Sequence, residues 1–482
     1  MYHPLHRGRS LGAWQALGII VVVLYVVIQF VVFQLSLARL PGTWTIGSRA
    51  YPDQSIDEAI AQVNIDLQQP VTLYYMTNTI ALDPSAIDFT FDFTVTTRLI
   101  RDARSQSSAL TDFMRRLIFQ PPAPRDIPIV VSYSEEKARA LLAEAASRYD
   151  QPAQPPTPLT TTMILQPGQP GYQLNVVKSM SAIDTALKSP AQREVDLIVE
   201  HQPVPAPSLD QLTLLIQARL AQFPGSASIF VKDLQTGQEI DLNPDIAYSG
   251  LGVMKLPIMI EVFRKFDTPL SLTTTQLLSQ ALSTELSNLP ANQLLNLIGD
   301  GNTFVGVDTL TASMRNLGLR DTFMAQPYDQ PITATATIST PANSNPAANT
   351  HANPSIQTTP ADIGLLLEMI DQCTRQGGAL LVVYRDQFTP DECQQMIDLL
   401  KQASPADVPP LLRGGVPDQS VVAHRPGWNA DTRSDAALFF TAGGNYIIVV
   451  FLNTPNQAID WNTANPLMAD ISRAAYNYFN PK

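Results

Sequence analysis

Tyr248-Ser249-Gly250-Leu251-Gly252-Val253-Met254-Lys255-Leu256-Pro257 is the stretch on which the fold turns, because it joins two kinds of pattern. Upstream, Ala227-Ser228-Ile229-Phe230-Val231-Lys232-Asp233-Leu234 passes through Gln235-Thr236-Gly237 into Gln238-Glu239-Ile240-Asp241-Leu242. That alternation around a turn is a hairpin. Downstream the pattern is mostly helical from Met254 to about Leu400, interrupted by an Ala/Thr/Asn/Pro-rich segment at 333–359. Residues 420–427, 436–441 and 446–453 then read as three strands, the last two joined by Gly443-Gly444-Asn445, and a helix at 466–479 follows. Strands on both sides of a helical insertion must share one sheet, so 208–482 is expected to be an α+β domain.

The chain of 482 residues exceeds what one hydrophobic core usually supports, so at least two domains are expected. Hydrophobic residues make up 45% and charged residues 15%, a globular composition, while 39 prolines against 23 glycines indicate stiff connections. A net charge of −12 with no basic stripe argues against a nucleic-acid partner. The five histidines are scattered without metal-ligand spacing, so neither a metal nor a cofactor is expected. Two cysteines, Cys373 and Cys393, are expected to form one disulfide if they meet an oxidising compartment, the alternative being two buried thiols.

Residues 11–38 carry no charged side chain and are long enough to cross a bilayer core of about 30 Å. Arg7 and Arg9 precede the run and only Arg39 follows closely, which predicts a cytoplasmic tail at 1–10, a single-pass anchor at 11–38 and an extracytoplasmic remainder. A cleaved signal peptide, with Ser36 and Ala38 before the cut, is the alternative; the length of the run favours a retained anchor. Beyond it, Ser55-Ile56-Asp57-Glu58 reads as a capping box opening a helix to about Leu67. Strands are expected at 71–75, through the alternation of Phe89, Phe91, Phe93 and Val95, at 129–131 and at 195–199, with a helix at 135–148. Together these define a smaller α+β module at 43–205, in which 151–158 is an internal loop and 203–207 a stiff linker.

Ser55-Ile56-Asp57-Glu58-Ala59, Leu82-Asp83-Pro84 and Gly171-Tyr172-Gln173-Leu174-Asn175 followed by Ala182-Ile183 give this module its resemblance to the peptidoglycan-binding domain of VanW-like and L,D-transpeptidase proteins. The resemblance implies cell-wall binding; a spacer that lifts the next domain off the bilayer fits the same residues.

From 208 to 482 the order hairpin, helix with Lys255, helical block, strand with His424-Arg425-Pro426-Gly427-Trp428, hairpin and terminal helix resembles the class A serine β-lactamase and penicillin-binding family. Three motifs, S-x-x-K, S-D-N and K-T-G, carry that family's acyl transfer. The first corresponds to Gly252-Val253-Met254-Lys255, which keeps the lysine and loses the nucleophile. The second corresponds to Leu286-Ser287-Asn288, where the relay hydroxyl is lost and the asparagine kept; an offset register, Ser287-Asn288-Leu289, would keep a serine. The third corresponds to Arg425-Pro426-Gly427, with charge retained but no hydroxyl, and a proline that has no N–H. The segment 323–359, where the family carries its deacylating glutamate, has Asp329 as its only acid.

Losses at nucleophile, relay, clamp and base remove one reaction four times over, so the resemblance implies an inactive homologue that binds cell-wall stem peptide or glycan, or serves as a scaffold. The resemblance also implies that backbone N–H groups of Gly252 and Trp428 occupy the oxyanion positions beside Lys255 and Arg425, a pocket suited to a carboxylate. The competing reading is an active β-lactamase or D,D-peptidase with another nucleophile. Ser249 does not serve on this reading, since on a helix it would lie about 120° around and ~9 Å along from Lys255, and it reads as a cap or turn residue. His424 on a strand reads as structural, with no G-x-S-x-G elbow to pair with it.

Overall fold

The computed structural model describes residues 11–283, 287–331, 337–346, 348–402 and 410–481. The chain divides into two compact units, one holding the residues up to Gln154 and Gln169–Val204, the other Pro155–Gly168 and Pro205–Lys482.

The first unit opens with the apolar helix α1 (Leu11–Ser36) and a ribbon of β1 (Trp44–Ile46) and β2 (Arg49–Ala50). Helix α2 (Ile56–Leu67) begins at the expected capping box, with Ser55 and Glu58 each bonding the other's backbone N–H. Ala59, Ile60, Val63 and Leu67 recur at helical spacing and are buried. They share a core with Leu73 and Tyr75 of β3 (Val71–Tyr75), which pairs with β4 (Asn78–Leu82). The alternating phenylalanines do not continue as a strand: β5 is only Thr90–Phe91, and α3 (Phe93–Ser105) starts at once. The reason is Asp92, whose side chain accepts from Val95 N and caps the helix. Helix α4 (Ala109–Leu117), β6 (Arg125–Ile127), β7 (Val131–Ser132) and α5 (Glu135–Tyr149) follow.

The stretch expected to be an internal loop instead carries a hairpin of β8 (Thr157–Leu159) and β9 (Ile164–Gln166) that belongs to the second unit. The first unit then resumes with β10 (Gly171–Leu174), α6 (Val176–Leu187), β11 (Glu194–Asp196) and β12 (Val199–Gln202). The expected strand at 195–199 is thus split: β11 adds parallel to β3, while β12 pairs with β10.

The second unit starts with α7 (Leu209–Leu220), again behind a reciprocal capping box, at Ser208 and Gln211. The expected hairpin is β8's larger counterpart, β13 (Ser226–Asp233) and β14 (Glu239–Leu242). After the short β15 (Tyr248–Ser249) come α8 (Lys255–Lys265), α9 (Leu272–Ser283), α10 (Leu289–Ile298) and α11 (Thr303–Asn316). Strands β16 (Phe323–Met324) and β17 (Ile356–Thr358) form a small sheet with β15. Then come α12 (Pro360–Thr374), α13 (Ala379–Val383), α14 (Pro390–Gln402), β18 (Val421–Trp428), β19 (Thr432–Phe440), β20 (Tyr446–Asn453) and α15 (Trp461–Phe479).

The main sheet has the order β14-β13-β20-β19-β18, so strands from both ends of the unit meet at the β13–β20 pair. Central β20 is buried along its whole length. Its Ile447, Val449 and Phe451 face the helical block, while Ile448, Val450 and Leu452 face α7 and α15. A strand covered on both faces needs an unbroken apolar run, which Tyr446-Ile447-Ile448-Val449-Val450-Phe451-Leu452 supplies. Met163 of the β8–β9 hairpin joins the second of these cores, and Asn477 Nδ2 donates to its carbonyl at 3.3 Å. Helix α15 begins five residues before the expected start, because Asp460 accepts from Asn462 N and caps it ahead of Pro466. Cys373 of α12 and Cys393 of α14 are disulfide-bonded, 20 residues apart in sequence with Cα atoms 5.9 Å apart. Closing such a loop stabilises the fold by about 3 kcal/mol in the chain-entropy view.

Candidate functional site

Gly252 lies in a 3₁₀ turn, Leu251–Met254, that feeds directly into α8. Leu251 takes a left-handed φ of 46°, costly for a branched residue, and its carbonyl accepts from Tyr328 Oη at 2.7 Å. Strand β18 runs beside this turn so closely that a Cβ on Gly427 would fall 2.5 Å from Gly252 N. Glycine is therefore required at 427 by the approach of two backbones. Pro426 is tolerated because β18 is the edge strand of the sheet.

Ser249 sits in β15, not on the helix, and its Oγ accepts from Asn353 N at 2.8 Å. It is thus a strand residue instead of the expected cap or turn residue, because its pairing with Gln357 of β17 holds it extended. Leu286 lies outside the described residues. Ser287 is exposed, and its Oγ accepts from Leu289 N at the start of α10. Asn288 reaches forward to donate from Nδ2 to Asp329 Oδ1 at 3.1 Å. Asn292, one turn further along, exchanges two 3.0 Å hydrogen bonds with the backbone of Tyr328. The helix thus fixes the loop that carries Asp329.

A cavity of ≈ 300 Å³ opens between these elements. Gly252 and Trp428 both line it, together with Ser249, Asn288, Asp329 and Asn353. Among its lining residues Asp329 is the one with formal charge. The expected flanking cations are elsewhere. Lys255 is 1% exposed, and burial, with the nearby Arg425 charge adding to it, pushes its ammonium down to about 6 while Asp329 opposes the shift. Arg425 is also 1% exposed; its Nε donates to Gly252 O at 3.1 Å and its Nη1 to Leu282 O. Burial pushes it down to about 9 against the favourable field of Asp435. The guanidinium thus ties the 3₁₀ turn and α9 to the sheet, and neither it nor Gly427 lines the cavity. A carboxylate clamp made by Arg425, Pro426 and Gly427 is not what the geometry presents.

His424 is buried with its Nδ1 3.1 Å from Asp435 Oδ1, and Asp435 Oδ2 accepts from Leu412 N. This pair serves the sheet. One residue escaped the sequence reading altogether. Arg433 pairs with Trp428 across β18 and β19, and its guanidinium lies against the rings of Trp461 at 3.3 Å and Trp428 at 5.2 Å. Its three nitrogens are buried without hydrogen-bond partners among the described residues, and burial pushes it down to about 10. The tryptophan stacks supply cation–π stabilisation instead. Only the strand register could have revealed this, since Trp461 comes from a distant helix.

Hairpin, helical block and returning sheet, with a site at the turn before α8, define the penicillin-recognising class of folds. A family model described as "Beta-lactamase enzyme family" matches residues 211–283 and 269–479, more than half of the chain, and the protein belongs to that family. A second model, "Putative peptidoglycan binding domain", matches residues 82–196. No curated protein sequence matches significantly. Among solved structures, PBP-A is 16% identical and aligns over 58% of this chain and 99% of its own, with a TM-score of 0.43. The ancestral class A β-lactamase GNCA is 18% identical, over 55% and 99%, with a TM-score of 0.41. A β-lactamase from Xanthomonas campestris is 17% identical, over 56% and 97%, with a TM-score of 0.42.

Proposed function

We propose that this is a membrane-anchored, extracytoplasmic member of the β-lactamase family that binds cell-wall peptide without cleaving it. The observation that carries the reading is the absence of a side chain at Gly252 while Lys255, the amine that would serve a nucleophile, is sealed at 1% exposure behind the cavity wall. A nucleophile needs a base within hydrogen-bond reach, and of the two hydroxyl residues that line the cavity, Ser249 is engaged as acceptor by Asn353 N and Tyr328 donates to Leu251 O. The lining favours amide-rich ligands: Asn288, Gln330, Asn353 and Asn429 surround Asp329, which suits an amino group of a stem peptide better than a terminal carboxylate. The anchor is supported by Trp14–Ser36, long and apolar enough to cross a bilayer, with its surface almost wholly exposed. The peptidoglycan-binding match next to it supports an extracytoplasmic, wall-facing setting.

Intact-protein mass after incubation with penicillin G tests the central point. No adduct is expected on the wild-type protein, and none that turns over on Gly252→Ser, because relay and deacylating groups are missing as well. A stoichiometric penicilloyl adduct on the wild type would overturn the reading. Co-sedimentation with purified sacculi tests binding, and a protein left wholly in the supernatant would remove the wall ligand.

A further inference from the structure

Helix α4 has a face that the fold leaves uncovered. Leu110, Met114 and Ile118 recur every four residues, and with the adjoining Phe119 they are 71%, 56%, 63% and 82% exposed. Such a stripe in a folded domain marks an interaction surface. The other side of α4 is packed on α1. Phe113 meets Phe30 and Phe33 at ring-centroid distances of 5.6 and 5.4 Å, Arg116 Nε donates to Gln29 Oε1 at 3.1 Å, and Tyr25 Oη donates to Leu117 O at 2.9 Å. Contacts that ascend α4 while descending α1 make the two helices antiparallel.

The lengths say what covers the stripe. At ~1.5 Å per residue the 26 residues of α1 extend roughly 39 Å against a bilayer core of about 30 Å. A span of about 20 residues beginning at Leu11 ends near Phe30, which places Tyr25, and with it the Ile118 end of α4, roughly 8 Å beneath the outer boundary. An apolar side chain at that depth lies among acyl chains. Val31, Val32 and Leu35 of α1 are exposed as well, so the α4 stripe continues an existing apolar belt.

Charge points the same way. Between positions 98 and 116 the chain carries Arg98, Arg101, Arg104, Arg115 and Arg116 against Asp102 and Asp112, a local excess of three positive charges in a protein of net −12. A cavity of ≈ 610 Å³ along α1 and α4 gathers Arg39, Arg104 and Arg116 beside Phe33 and Phe119, against the carboxylates Asp53 and Asp112.

We propose that α4 dips end-on into the outer leaflet of the bilayer that α1 crosses, its Met114-Ile118-Phe119 end among the acyl chains and Leu110 near the boundary, with the neighbouring arginines on the phosphates of anionic phospholipid. This rests on the anchor reading, and it makes the first unit a domain docked on the membrane surface instead of one tethered at a distance.

The test uses the full chain in vesicles of phosphatidylcholine and phosphatidylglycerol with brominated acyl chains. Because Cys373 and Cys393 are bridged, one introduced thiol can be labelled with an environment-sensitive dye. Ile118→Cys is expected to be quenched roughly twofold or more by the bromines, as is Val22→Cys in α1, whereas the exposed Val177→Cys on α6 is not. Quenching at 22 without quenching at 118 would overturn the proposal and leave the anchor standing; no quenching at either would remove both. Energy transfer between dyes at 118 on different copies, without bromine quenching, would mean that a second copy covers the stripe and would also overturn it. Omitting phosphatidylglycerol is expected to weaken the signal at 118 and leave that at 22 unchanged; equal signals would remove the phosphate contacts.

Discussion

The two sides of the cavity have taken opposite courses. Behind the cavity, Lys255 and Arg425, with Gly427 pressed on Gly252, are buried and bound into the fold. The outer side, Asn288 and Asp329, held by Asn292 on the backbone of Tyr328, faces the open cavity and retains polar groups free to meet a ligand. The residue type at a position and the exposure of its side chain are therefore separate properties.

The contrast breaks most readily at Gly427. Gly427→Ala is expected to destabilise the second unit by about 3 kcal/mol, because the new methyl meets backbone atoms that cannot rotate away. Denaturant titration reads this directly, and an unchanged midpoint would mean that turn and strand are not in close contact.

Lys255→Met comes next, and its effect should fall on the pH dependence of stability. The pH dependence follows from the depressed ammonium. Unfolded chain holds the proton up to the ordinary lysine range and folded chain gives it up near 6, so unfolded protein binds more protons between those limits. The wild type should therefore gain stability as pH rises from about 6 toward 10.5. Lys255→Met should lose that rise. Denaturant titrations across the interval check it, and a variant that keeps the wild type's pH dependence would show that another group carries it.

Asp329→Asn has the smallest expected effect on stability, roughly 0.5 kcal/mol or less for a partly open position. Its effect should fall on binding: an amino-bearing stem peptide should bind about tenfold more weakly, the loss of one charge-assisted hydrogen bond. Calorimetry with peptides bearing and lacking the amine would resolve it, and equal losses for both would assign Asp329 a role in shaping the loop.

Much of the second unit was legible because its signals are local. The β13–β14 hairpin and β20 announce themselves by alternation and by an unbroken apolar run, as the cap at Ser55 in the first unit does by a partner three residues away. The first unit was read less well where a local rule competed with a pattern, as when Asp92 capped a helix inside an apparent strand. The hairpin at 157–166 was invisible, since its few apolar residues gain meaning only against α7 and α15. Likewise the stripe on α4 stands out only once Phe113 is seen to be spent on α1.

Sequence by itself determined that no hydroxyl stands at 252, that residues 323–359 offer no glutamate, and that a charge-free helix precedes the domains. These are statements about which atoms exist, and no fold can alter them. Tertiary structure alone decided which surviving groups face the cavity: it buried Lys255 and Arg425, set Arg433 against two tryptophans, and brought Asp329 to Asn288 across 41 residues. Exposure and proximity depend on contacts between segments remote in the chain, and a string of residues does not carry them in its spacing.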